Sequence, residues 1–150
     1  MIKKKSEAYV AEISAGDLYE VAAGELAAQR ASSDAVRALG EMMVEHHTTA
    51  VHQMRAALMS SEVTRALPDL KPVVQLDRKR KAMLDALMEA PDAEFDRLYL
   101  EQQRTAHAES AALHDEYAMR GDNPQLQSLA AGGLPMIQRH MRALERLGKH

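Results

Sequence analysis

Apolar residues recur along most of the chain at intervals of three and four, the spacing that gathers them on one face of an α-helix. No segment alternates apolar and polar residues as a half-buried strand would. The first run predicts a helix from about Glu7 to Arg30, stopping in ASSDA, where Ser32 or Ser33 can cap the next helix by accepting from free backbone N–H groups. A second helix follows from about Asp34 to Ser60. Pro68 and Pro72 bracket a connecting loop, and Pro72 suits the first turn of a shorter helix, about 72–89. Pro91 and Asp92 open another that runs to Arg120 and is closed by Gly121. Asp122 and Asn123 are capping candidates ahead of Pro124, which starts a last helix reaching about Leu147. Within it GGLP, at 132–135, predicts a bend or a loosened turn, since Pro135 cannot donate to the carbonyl four residues back. Four long helices and one short one, joined mostly by short turns, read as an all-α antiparallel four-helix bundle. It forms a single domain over residues 1–150, with residues 1–6 expected to be disordered.

The same periodicity sorts polar residues into inward and outward ones. On the second helix the apolar seam is Val36, Leu39, Met43, Ala50, Val51, Met54 and Leu58, and His47 falls within it. His46 and His52 turn toward the flank or the solvent. On the last helix His140 sits in the stripe of Leu126, Leu129, Gly133, Met136, Ile137, Leu144 and Leu147. Glu20 shares a face with Tyr9, Ile13, Gly16, Ala23 and Ala27, whereas Ser14, Asp17, Glu25 and Gln29 collect elsewhere. Small residues on that first helix, Gly16, Ala23, Gly24 and Ala27, allow close approach of a neighbour. On the long helix after Pro91, Phe95, Leu98, Tyr99, Ala106, Leu113 and Tyr117 define the stripe, which leaves His107 at its flank and Gln102 or Glu109 nearer its centre.

Composition narrows the class. Hydrophobic residues are 46% and charged residues 27%, the balance of a globular chain, while aromatics are only 3%, so Leu, Met, Val and Ala must fill the core. A formal charge of −3 argues against a nucleic-acid partner, which needs a basic face, and RKRK at 78–81 reads as a solvated helix face. Cysteine is absent, which removes disulfide and thiolate chemistry. MIKKKSEAYV starts positively but lacks the apolar run of a signal peptide. The chain as written is therefore expected in the cytoplasm, or outside it if a signal was removed. No window is apolar enough for a membrane span. A homodimer is possible, and the small-molecule substrate, if any, is unknown.

An unpaired buried carboxylate or imidazole is costly, so Glu20, His47 and His140 need partners. Imidazole and carboxylate together ligate zinc, iron, copper and manganese, and helical bundles build such sites from side chains on facing helices. The alternative is a buried network in which each residue bonds to a side chain, a backbone group or a water. Met43, Met54, Met136 and Met141 read as core. Di-iron carboxylate bundles require Glu-x-x-His on two helices, and here no Glu or Asp is followed three residues later by His. Neither a G-x-S-x-G elbow nor a P-loop is present.

The segments GDLYEVAAGELAAQRASSDAVRALGEMMVEHHTTA, FDRLYLEQQRTAH and LPMIQRHMRALERL together resemble the bacterial domain-of-unknown-function family 4142 over roughly residues 8–147. The motif elements are Glu20, His47, Phe95, Asp96, Tyr99, His107, Pro135 and His140. The resemblance implies a ferritin-like bundle and, by supplying His107, a metal cluster of Glu20, His47, His107 and His140 for one zinc, copper or iron ion. The family usually has an acidic residue just before the second-helix histidine, where this chain has His46. MVEHHTTAVHQM is also similar to the MxxHHxxAxxM signature of another ferritin-like, metal-associated family, with Met54 one residue later than the signature has it, across one helix only. The resemblance implies no particular reaction. The expected function is a binding or stress-associated module with a possible metal site, and the alternatives are a purely structural polar network or a metal-dependent hydrolase or oxidase with Glu20 as base.

Overall fold

The computed structural model describes residues 4–148, and among them all regular structure is helical. The helices are α1 (Lys4–Arg30), α2 (Asp34–Met59), α3 (Ser61–Ala66), α4 (Arg78–Glu89), α5 (Asp92–Arg120) and α6 (Pro124–Leu147). Ser33 caps α2 by accepting from the Val36 N–H, and Asn123 caps α6 by accepting from Leu126, as the spacing predicts. α6 runs unbroken through Pro135.

Three boundaries differ from the sequence reading. α1 begins at Lys4, and Ser6, expected in a disordered stretch, is fully buried and bonded to the Tyr117 hydroxyl at 2.6 Å; residues 1–3 lie outside the described residues. Ser60 ends α2 and caps α3 at once, accepting from Val63 N–H, so the helical turn of α3 precedes the loop. The predicted helix at 72–89 starts only at Arg78. Lys71 has no acceptor with which to cap a helix beginning at Pro72, and Val73 and Val74 favour extended backbone. Asp77 does have one, and its carboxylate takes the Arg80 N–H at 2.8 Å.

Four long helices close a ring in which α1 packs on α2 and α5, and α6 packs on α5 and α2. Ser6 meets Tyr117, Glu20 meets Gln103 and Arg30 meets Asp92, so α1 and α5 run antiparallel. The short turn at residues 31–33 also makes α1 and α2 antiparallel. α2 and α5 therefore point the same way, and residues 60–91 must travel the full length of the bundle between them. α4 lies along α1 in this crossover: Arg80 donates to Glu12 at one end, and at the other the Arg30 guanidinium donates to the carbonyls of Leu87 and Ala90 at 2.8 and 2.7 Å. Among the described residues no helix is long and apolar enough to cross a membrane.

α1 and α2 touch backbone to backbone at Gly24 and Gly40. A Cβ on either would sit 2.7 Å from the other's carbonyl oxygen. Gly16, expected to serve the same purpose, instead faces open space in which a Cβ would meet only the Arg80 Nε, at 4.0 Å.

The apolar core is split in two. One cluster, around Tyr19, Ala23, Val36, Leu39, Met43, Phe95, Tyr99 and Leu144, fills the end of the bundle near the α1–α2 turn. The other, around Tyr9, Val10, Met54, Leu58, Tyr117, Leu126 and Ala130, fills the opposite end. Between them lies a layer of buried polar groups: Asp17, Glu20, His47, Gln103, His107 and His140.

Candidate metal centre

Each of the four long helices contributes to this layer. α1 brings Glu20 and Asp17, α2 brings His47, α5 brings His107 and Gln103, and α6 brings His140. The four residues singled out from the sequence therefore meet at one depth. His107, placed at the flank of its helix by hydropathy, is 1% exposed. The inward face of α5 is Phe95, Tyr99, Gln103, His107, His114 and Tyr117, a stripe whose middle is polar, while Glu109 is exposed and Gln102 half-buried. Counting apolar residues rotates the apparent centre of such a helix.

Hydrogen bonds fix which ring nitrogens carry protons. His47 Nδ1 donates to Asp17 Oδ1 at 2.8 Å, which leaves Nε2 buried and without a hydrogen-bond partner, 3.7 Å from Glu20 Oε2. His107 Nδ1 donates to the Gln103 carbonyl at 2.9 Å, with Glu20 Oε2 also near it at 3.4 Å, and this leaves His107 Nε2 as an acceptor. His140 Nδ1 lies 3.1 Å from that nitrogen, and His140 Nε2 lies 2.7 Å from His46 Nδ1. With no other ligand bound, the consistent assignment runs the donors from His46 to His140 to His107. Glu20 Oε1 accepts from Gln103 Nε2 at 2.6 Å. One ring nitrogen from each of His47, His107 and His140 falls within 4.8 Å of the other two, the spacing of a group able to hold a metal ion; Glu20 borders this trio.

Two participants lie outside the cluster that the sequence predicts. Asp17 is buried and holds His47, and half-buried His46 reaches His140 from the flank. Asp17 follows Ile13 by four and precedes Glu20 by three, a helical spacing that could have revealed it.

The electrostatics separate the histidines. Burial works against a charged His47, but the Asp17 hydrogen bond and the Glu20 and Asp17 carboxylates outweigh it and hold its pKa above the ordinary value. Burial pushes His107 down, Glu20 offsets this only in part, and His47 adds to the lowering. His140 is pushed down to about 3 by burial, with repulsion from His107, His47, His46 and Arg139. His107 and His140 thus keep lone pairs at neutral pH.

The other motif residues are structural. Asp96 accepts the Ser32 and Ser33 N–H groups, both at 2.9 Å, and so holds the turn into α2. The Phe95 ring lies under the Arg30 guanidinium at 4.6 Å and beside Tyr99.

The family model described as a domain of unknown function, DUF4142, matches residues 1–147. The chain belongs to this family. In this DUF4142 chain the polar layer and the Asp96 clamp on the α1–α2 turn are both built from residues inside the matched region. No curated protein and no solved structure matches it.

Proposed function

We propose that the polar layer of this DUF4142 protein binds a single transition metal ion, zinc, copper or iron, through His47, His107 and His140, with Glu20 completing the set. The observation that carries this reading is the convergence of three imidazoles from three helices around the unpartnered, buried His47 Nε2. Leaving such an atom unpaired costs about 1–3 kcal/mol, and coordination would remove that cost. Asp17 behind His47 is the outer carboxylate that ligating histidines commonly have, fixing the tautomer that turns Nε2 inward. His46 offers His140 a similar partner: were His140 to give Nδ1 to a metal, its proton would sit on Nε2 and be donated to His46 Nδ1, with the His46 proton moved to that ring's own Nε2. The single long crossover between α2 and α5 favours the ferritin-like relationship.

A second reading has its own support. The His46–His140–His107 contacts, at 2.7 and 3.1 Å, close a hydrogen-bond chain without any metal, as a buried network fixing helix register would. Calorimetric titration of zinc into chelator-stripped protein separates the two. The metal reading expects tight stoichiometric binding that falls by about tenfold or more in His47→Ala and His140→Ala. Equal affinity in all three proteins would leave the network reading standing.

A further inference from the structure

A cavity of about 270 Å³ opens between α1 and α5 beneath α4, and its floor is the histidine layer: Glu20, His47 and His107 all line it. A second cavity of about 270 Å³, on the α2–α6 side, reaches only His47 of the proposed ligands. The walls of the first are largely apolar, from Ile13, Met83, Ala106 and Leu113, and Gly16 leaves its α1 side open because no side chain stands there. α4 is fastened over it. The Gln102 amide donates to the Met83 carbonyl at 3.0 Å, and Tyr19 donates to the same Gln102 side chain, linking α4, α5 and α1.

Both cations lining this space are engaged. Lys79 pairs with Glu109 at 3.0 Å, and Arg80 pairs with Asp77 and with Glu12 at 2.8 Å. Carboxylates of Glu12, Asp17, Glu20 and Glu109 line the same cavity, so nothing in it selects an anion. The volume falls just below the range of about 300–1,000 Å³ for drug-sized pockets, which limits the occupant to a small molecule.

We infer that this cavity is the ligand pocket of the layer, taking a small neutral molecule with a compact apolar body and one electron-pair donor, of the kind imidazole represents. The donor would take a fifth position on the metal, beside the four protein ligands and between His47 and His107, and the body rests against Ile13, Met83 and Leu113. The inference rests on the metal reading.

Cobalt(II) loaded into the full chain reports on both, because its visible bands follow coordination. In the wild type the bands should form, shift on titration with imidazole and respond weakly to azide. Gly16→Leu, which fills the cavity from α1, should load cobalt with the same spectrum and weaken imidazole binding about tenfold or more. Gly16→Ala, whose Cβ would only touch Arg80, should bind as the wild type does. Ala106→Phe narrows the same space from α5 and serves if Gly16→Leu fails to fold. Absence of cobalt bands overturns the metal reading and the pocket with it. Bands that form and ignore imidazole, an imidazole affinity unchanged in the filled variants, or a preference for azide each overturn the pocket assignment alone.

Discussion

Asp17 illustrates how one bond sets the chemistry of a neighbour. Its carboxylate accepts from His47 Nδ1, so Nε2 is the ring nitrogen left without a partner, and it is aimed into the layer. Asp17→Asn keeps the shape and removes the charge. Zinc affinity should drop about 10–100-fold, read by calorimetry, while circular dichroism stays unchanged. An affinity equal to wild type would mean that Asp17 has no hold on the site. At this scale the sequence was legible where apolar neighbours framed the polar residue. His140 sits among the leucines of α6 and His47 among the apolar residues of α2, so their direction followed from counting. Glu20 was read the same way along α1. His107 came from the family motif, because Gln103 and His114 replace the apolar neighbours that would have framed it. His46 was read as flanking, which its half-buried position matches, but its bond to His140 depends on a partner from another helix.

Pairs of helices explain the glycines. Gly24 and Gly40 let α1 and α2 meet at their backbones, and a methyl on Gly40 would also come within 2.8 Å of the Ala27 Cβ. Alanine favours a helix over glycine by about 1 kcal/mol, but overpacking of this kind costs about 1–3 kcal/mol. Gly40→Ala should therefore lower the urea midpoint, and Gly16→Ala should leave it level or raise it. A Gly40→Ala midpoint at or above wild type would show that the two helices can part without loss. The helices themselves were largely readable from period and caps. The crossover was not, because its start turns on which of Pro72 and Asp77 wins, and a side chain able to accept from Arg80 N–H prevails over a ring that merely tolerates the first turn. RKRK, read as solvated, also divides by contact: the Arg80 side chain is largely buried against Glu12 and Asp77, while Lys79 and Lys81 stay exposed.

For the whole molecule, the buried imidazoles make folding depend on pH. His107, His114 and His140 have folded pKa values below the ordinary 6.5, with burial the leading cause in each. The unfolded chain therefore takes up protons on these three first, and their contribution to stability is complete above pH 6.5 and declines as the pH falls toward the folded values. His47 is raised, so its contribution is complete below pH 6.5 and is lost as the pH rises through its folded value. Metal-free protein should thus be most stable near neutrality. Between pH 6.5 and 5 it should lose up to about 1.4 kcal/mol per pH unit for each lowered histidine, measured by urea unfolding in chelator. A flat profile across that window would contradict the burial of uncharged rings. Saturating zinc should oppose the acid loss, since a ligand at a hundred times its Kd stabilises the fold by about 2.7 kcal/mol.

The division of the apolar interior into two blocks reaches beyond stability. Each block grips the ends of the rods on its own account, Tyr19, Phe95 and Leu144 at one end and Tyr9, Met54 and Leu126 at the other. The slab between them is a socket in a frame: a handful of substitutions there can change its polar contents while the frame keeps the rods in place.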